Sequence, residues 1–352
     1  MRTWIGVLLL AAVLLATQAA AGDRLPGLGV AAGQTSVSGL SSGAYMAGQF
    51  QLAFSSIVVG AGIVAGGPWG CAQSSWGMAR LPFLGRSANL AQALNRCMAT
   101  RLGGPDGAAL ARAAGVAAAR GRIDPLANLR DDRVYLFHGE ADAVVGRPVV
   151  EAAESFYLAV GVPAANLRTV YRLEAGQEAG HGFLVKSGGS ACDAGVAPFL
   201  AGCGDDQAGE ILAWIYLDFD RRPRAPEGRL LVFDQTEFLS SAKNPGLAAE
   251  GVAYVPASCA DRPGCRVHIA FHGCLQSRTM PEVGDRFIED TGYLPLADAN
   301  RLVILFPQTD AATTPNACWD WWGYTGPDFL SREAPQLAAV RAMLERLAQP
   351  TS

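Results

Sequence analysis

Apolar positions along this chain fall into two rhythms. Short β-branched and aromatic runs bounded by Gly, Pro, Asn or Asp occupy residues 35–38, 57–65, 133–137, 167–172, 230–234, 251–256, 266–271 and 302–306, and runs of this kind read as strands. Between them, Ala- and Leu-rich stretches with helical spacing cover 43–54, 107–120, 148–159, 207–217, 294–300 and 332–347. The stretch 107–120 is rich in alanine, yet its length and composition suit an ordinary helix. Strands alternating with helices predict an α/β protein with a mainly parallel sheet and flanking helices.

The first 21 residues stand outside this pattern. Arg2 supplies a short positive region, residues 5–15 an apolar core, and Ala19-Ala20-Ala21 a small-residue cleavage site before Gly22. That run is shorter than the ~18–20 apolar residues needed to span a bilayer. The expectation is an export signal over 1–21 and a secreted mature chain over 22–352 with no membrane association. Among all 352 residues, half are hydrophobic and 17% charged, with a net charge of −4. So apolar a chain is not disordered. Its basic residues are scattered rather than clustered, which argues against a nucleic-acid partner. Residues 221–228, Arg-Arg-Pro-Arg-Ala-Pro-Glu-Gly, form the one candidate linker. It is too short and charged for a flexible tether, and the chemistry below draws on both sides of it, so 22–352 reads as one catalytic domain.

Export changes the meaning of the cysteines. Cys71, Cys97, Cys192, Cys203, Cys259, Cys265, Cys274 and Cys318 all lie beyond the signal, and an even set in an oxidising compartment reads as four bridges. Eight cysteines allow 105 pairings. Short loops favour Cys192–Cys203 and Cys259–Cys265, with Cys71–Cys97 and Cys274–Cys318 as the simplest completion. No C-x-x-C pair or His-rich tract suggests zinc, and neither a metal nor an organic cofactor is expected.

Gly39-Leu40-Ser41-Ser42-Gly43 is the chain's one G-x-S-x-G, set between a strand and a helix as a nucleophile elbow requires. Serine needs an oriented base to become nucleophilic, and there are four histidines. His138 and His272 each precede a glycine at a strand end and His268 lies within a strand, positions suited to structural roles. His181, flanked by Gly180 and Gly182 in a loop, is where a mobile, exposed base would stand. Asp142 lies just beyond the strand at 133–137, where catalytic groups of open α/β sheets gather, and is the expected acid, with Glu140 second. The order Ser41, Asp142, His181 is that of α/β-hydrolases. In that fold the oxyanion is held by the amide after the nucleophile, here Ser42, and by one from the loop after the third strand. Too few residues precede Ser41 to hold that loop. The strand 266–271 running into His272-Gly273-Cys274 supplies it downstream. Moving residues 230–352 ahead of residue 22 restores the usual order, so the chain reads as a circularly permuted α/β-hydrolase with Cys274 as second donor.

The segments GLSSGAYMA, HGEADAVV, EAGHGF, IAFHGCLQ and NACWDWWGY together resemble the poly(3-hydroxybutyrate) depolymerases. More narrowly, they are similar to the circularly permuted, single-domain type, over nearly the whole mature chain. The resemblance implies a secreted serine esterase cleaving short-chain polyhydroxyalkanoate, with Ser41 as nucleophile, Asp142 as acid, His181 as base, and Ser42 and Cys274 as oxyanion donors. It also implies that a Cys274–Cys318 bridge holds the oxyanion loop against the tryptophan-rich segment. Many secreted members carry a separate polymer-binding domain, and nothing in this sequence encodes one. Contact with the polyester then falls to Trp319, Trp321, Trp322 and Tyr324. Residues two apart share a face in a strand, which makes one ring core; Trp319 and Trp322 are taken as the substrate contacts. The alternative is a secreted carboxylesterase for soluble hydroxyalkanoate oligomers, feruloyl esters or acetyl esters. A non-catalytic binding protein on this fold would lack a triad member. A monomer is expected of an enzyme working on a solid surface.

Overall fold

The computed structural model describes residues 22–74, 82–239 and 245–351; the expected export signal at 1–21 lies outside them. The strands among these residues are β1 (Thr35–Leu40), β2 (Val58–Val64), β3 (Arg133–Phe137), β4 (Leu167–Val170), β5 (Phe183–Leu184), β6 (Ser190–Ala191), β7 (Leu200–Gly202), β8 (Arg229–Asp234), β9 (Glu250–Val255), β10 (Arg266–Phe271) and β11 (Leu302–Phe306). The helices are α1 (Ser42–Ala53), α2 (Pro82–Arg96), α3 (Gly107–Ala119), α4 (Arg147–Ala159), α5 (Gln207–Ile215), α6 (Ala257–Ala260), α7 (Arg286–Glu289), α8 (Tyr293–Asn300) and α9 (Pro335–Ala348).

Eight strands form one sheet in the order β4-β3-β2-β1-β10-β11-β9-β8. Five of its neighbouring pairs are parallel, and β9 runs antiparallel to both β8 and β11. Counted from β8 to β11 and then from β1 to β4, the order is 1-2-4-3-5-6-7-8. The serine elbow then follows the fifth strand and the segment His272-Gly273-Cys274 the third, which is the α/β-hydrolase arrangement with its chain ends moved. The two ends of the described chain meet: the amides of Leu28 and Gly29 donate to the carbonyls of Leu347 and Gln349 at 2.9 and 2.7 Å. Residues 221–228 cross the old junction as an exposed segment linking α5 to β8.

Period-two alternation explains why the central strands read as unbroken apolar runs, since a parallel sheet is covered on both faces. Val134 and Leu136 of β3, and Val303 and Leu305 of β11, enter one core with α1, α3, α4 and α9. Tyr135 and Phe137, and Leu302, Ile304 and Phe306, enter the opposite core with α5, α8 and β5. Helix α1 is buried at every residue, so its polar side chains must be satisfied internally. Gln49 Nε2 donates to the carbonyls of Asp320 and Phe329. Gln51 Nε2 donates to Asp132 Oδ2 at 2.7 Å while its Oε1 accepts from the Tyr157 hydroxyl.

Polar groups also line the second face of β1. Tyr293 and Ser38 hydroxyls lie 2.5 Å apart, Ser38 Oγ is 2.8 Å from His268 Nε2, and Ser36 Oγ is 2.7 Å from Nδ1. Tyr216, 2.9 Å from Ser36 Oγ, gives its one proton to the Gln34 carbonyl, which can only accept. The two serine hydroxyls thus bracket the His268 ring, one at each nitrogen. Burial holds His268 neutral, its pKa pushed down to about 3.

All eight expected sheet strands are present, with shifts of one or two residues at some ends. Helix α2 and the small sheet β5-β7-β6 were not expected. The buried face of α2 consists of Gly85, Asn89 and Ala93, whereas Leu84, Leu90 and Leu94 are exposed, so no inward apolar stripe marks it as a helix. Four bridges join Cys71–Cys97, Cys192–Cys203, Cys259–Cys265 and Cys274–Cys318, the simplest pairing of those open to the sequence. No helix among the described residues is long and apolar enough to cross a membrane.

Burial pushes the Asp132 carboxyl up to about 7, the Gln51 hydrogen bond only partly opposing it. A carboxyl raised in the folded state binds its proton more tightly there, so its stabilisation is complete below the ordinary value near ~4 and is lost as pH rises through about 7. Unfolding free energy should fall by up to a few kcal/mol between pH ~4 and ~8 through this residue. Urea melts across that range should show the slope in the native protein and a flatter profile in Asp132→Asn.

Candidate active site

The elbow is built by steric exclusion. Ser41 adopts φ 57°, ψ −118° between β1 and α1, a sparsely populated backbone conformation costing about 1–3 kcal/mol. Its amide donates to the Val64 carbonyl at 2.9 Å. A Cβ on Gly39 would fall 2.3 Å from the Gly43 carbonyl, and one on Gly43 would fall 2.2 and 2.4 Å from the Phe271 and His272 carbonyl oxygens. Both glycines are thus required by backbone, which cannot move aside as a side chain can. Ser42 is the first residue of α1, where no i−4 carbonyl takes the amide.

Register brings the other segments alongside. Leu40 pairs with Val64 and Val64 with Phe137, while Gly39 pairs with Phe271. The residues that follow β10, β1 and β3 therefore emerge from one edge of the sheet, about 4.8 Å apart per strand. The loop after β3 carries Asp142. Its Oδ1 accepts from the amides of Val144 and Val145 at 2.8 and 2.9 Å, and its Oδ2 lies 2.8 Å from His181 Nδ1. A carboxylate so engaged only accepts, so His181 carries a proton on Nδ1 and its Nε2 is the ring nitrogen turned from the carboxylate. Close packing of the two loops depends on glycine again, because a Cβ on Gly139 would stand 2.2 Å from the Ala179 carbonyl oxygen.

His181 is not exposed as the sequence suggested: only 6% of it is accessible. The small sheet, stapled by Cys192–Cys203, brings Phe199 edge-on against the imidazole with centroids 6.3 Å apart. Glu140 instead pairs with Arg172 at 2.9 Å. His138, His268 and His272 are all buried.

The loop after β10 runs from His272 to Gln276. Gly273 N–H is held by Gln276 Oε1 and Leu275 N–H by the Asn316 carbonyl, each at 2.7 Å. Cys274 N–H lies between these two engaged amides, and the Cys274–Cys318 bridge ties the loop to the tryptophan segment.

That segment corrects one expectation. Trp319 is wholly buried, edge-on against Phe271 at 5.1 Å, with Nε1 donating to the His272 carbonyl; it is core and cannot touch substrate. Trp321 stacks on Tyr45 at 4.3 Å. Trp322 retains 7% exposure, between Trp321 and Tyr324. Asp320, unnoticed in the sequence among three tryptophans, organises the turn: its carboxylate accepts from the amides of Gly323, Tyr324 and Thr325 and from the Thr325 hydroxyl. Burial pushes its carboxyl up and those hydrogen bonds pull it back. Among the described residues no group of three or more His, Cys, Asp or Glu is placed to hold a metal ion.

Comparison with known proteins gives a consistent set of relatives. A poly(3-hydroxybutyrate) depolymerase of Delftia acidovorans is 38% identical over 333 residues, which is 93% of this chain and 62% of that protein. The chain thus spans under two thirds of that relative's length. A polyhydroxybutyrate depolymerase of Talaromyces funiculosus is 31% identical over 353 residues, 95% of each chain. The crystal structure of PHB depolymerase from Penicillium funiculosum superposes with a TM-score of 0.79 at 30% identity, covering 93% of this chain and 99% of that one. A serine-to-alanine variant of PHB depolymerase complexed with an R3HB trimer superposes with a TM-score of 0.80 at 31% identity over the same shares. No family model matches the chain.

Two alanines in α1 should separate steric exclusion from helix propensity. Gly43→Ala should lose at least ~2 kcal/mol in urea melts, because its methyl meets backbone. Gly48→Ala, whose Cβ would meet nothing nearer than the Tyr157 hydroxyl at 3.5 Å, should be neutral or gain up to ~1 kcal/mol.

Proposed function

The chain belongs to the polyhydroxybutyrate depolymerase family, and from that membership we propose that it is an exported serine esterase hydrolysing the ester bonds of poly(3-hydroxybutyrate). The observation that carries the chemistry is the 2.8 Å Asp142–His181 contact, set at the same sheet edge as the strained Ser41 turn. Four disulfides among the described residues support an oxidising compartment.

In this reading an ester carbonyl of the polymer sits over Ser41. His181 Nε2 takes the hydroxyl proton as Oγ bonds to the carbonyl carbon, and Asp142 stabilises the resulting imidazolium. Negative charge on the carbonyl oxygen is held by the Ser42 and Cys274 amides, each such donor being worth ~3–4 kcal/mol of barrier. The tetrahedral intermediate expels the alkoxide of the next unit, which leaves as an alcohol with the proton from His181. Water then attacks the hydroxyacyl-serine, giving its proton to His181, and the chain end departs as a carboxylic acid. The exposed edge of Trp322 forms part of the wall against which the polyester lies.

Clearing of denatured, protease-free poly(3-hydroxybutyrate) granules, run beside a soluble p-nitrophenyl ester, tests this directly. The native protein should act on both, and Ser41→Ala should lower both by at least ~10⁴-fold with an unchanged melting curve. Ester hydrolysis without clearing would remove the polymer and leave a small-ester or oligomer hydrolase. Substantial turnover by the variant would remove the serine mechanism.

The tryptophans should divide by role. Trp319→Ala should cost ~3–5 kcal/mol of stability. Trp322→Phe should fold normally and lower kcat/KM on hydroxybutyrate oligomers roughly 5-fold, about the worth of one aromatic contact.

A further inference from the structure

Gln276 is fully buried and engages both polar atoms of its side chain. Oε1 accepts from Gly273 N–H at 2.7 Å, and Nε2 donates to the carbonyls of Pro198 and Phe199 at 2.8 and 3.3 Å. The two ends of this side chain touch segments that flank different reacting groups. Gly273 immediately precedes Cys274. Phe199 backs the His181 imidazole, and its carbonyl also accepts from Phe183 N–H at 2.8 Å, two residues beyond that histidine.

Gly273 is held from its other side as well. His272 Nδ1 lies 2.7 Å from the Gly273 carbonyl oxygen and must donate, since a carbonyl only accepts. The peptide between Gly273 and Cys274 is planar and trans, so a fixed Gly273 carbonyl sends the Cys274 N–H in the opposite direction. With Gly273 N–H held by Gln276, the residue before Cys274 is clamped at both of its polar groups.

We infer that Gln276 is a positioning residue that sets the Cys274 amide in register with the His181 imidazole, coupling the oxyanion donor to the base through one side-chain amide. The inference rests on the esterase reading above. Gln276 touches no reacting atom; it acts through Gly273 on one side and Phe199 on the other. Loss of its hydrogen bonds frees the Gly273 amide and lets the oxyanion loop and the histidine loop shift relative to one another.

The test uses the full-length mature protein with a soluble p-nitrophenyl ester and with a phosphonate that reacts at Ser41, whose tetrahedral adduct places an oxygen where the oxyanion forms. Gln276→Met, similar in length but unable to make these bonds, should lower kcat by about 10–100-fold, below the full loss of a donor. KM should change less than twofold, and the ³¹P resonance of the adduct should move. Gln276→Glu, protonated in this buried site, keeps an acceptor and one donor and should recover most of the rate; it also serves if the methionine variant does not fold. Unchanged kcat and an unchanged ³¹P resonance in a folded variant, with only the melting temperature lowered, would overturn the inference and leave Gln276 as scaffold. Failure of the native protein to react with phosphonate would instead overturn the esterase reading itself.

Discussion

Helix α1 begins so close to the end of β10 that a single methyl group on Gly43 would collide with two carbonyl oxygens. The geometry of the site follows from that approach. It sets the first turn of α1 against the end of β10 and the start of the loop that follows, segments far apart in sequence. There is no slack to absorb an error, because every residue of α1 is buried and its two glutamines are already bonded on either side. An elbow held this tightly can keep Ser41 in a conformation that an isolated turn would relax.

What could be read from the sequence is what local physics determines. β3 and β11 declare themselves because a strand covered on both faces has no polar phase. The serine elbow declares itself because its glycines answer a steric demand within five residues. Helix α2 does not, since its inward face is small and its leucines point outward. The burial of His181 comes from strands only two or three residues long, too short to show any period. Alternation cannot single out Trp319 as the core ring, because it presumes an extended strand. The segment instead winds around the Asp320 carboxylate, so sequence spacing says nothing about which ring faces inward.

Two of the four cross-links among the described residues tie down loops of the candidate site. Cys192–Cys203 closes the loop region that covers His181, and Cys274–Cys318 joins the loop after β10 to the tryptophan turn. A bridge confines the unfolded chain and so fixes a loop that no long strand ladder holds. Gln276 and Asp320 do the same by hydrogen bonds, each organising backbone that neighbouring strands do not reach. The site is thus a set of tied loops standing on a rigid sheet.

The relocated chain ends leave a mark on how this sheet can be assembled. β1 lies at its centre, yet it is made first, and its partner β10 lies 232 residues away in sequence, as the Ser36–His268 pair measures. Until that partner exists, β1 with β2, β3 and β4 has an open edge of the kind that recruits stray strands. Such remote pairing makes for slow folding. The molecule's quaternary hazard is therefore greatest before it is finished: a nascent half-sheet must be kept apart from its own copies until the C-terminal half arrives to cap it.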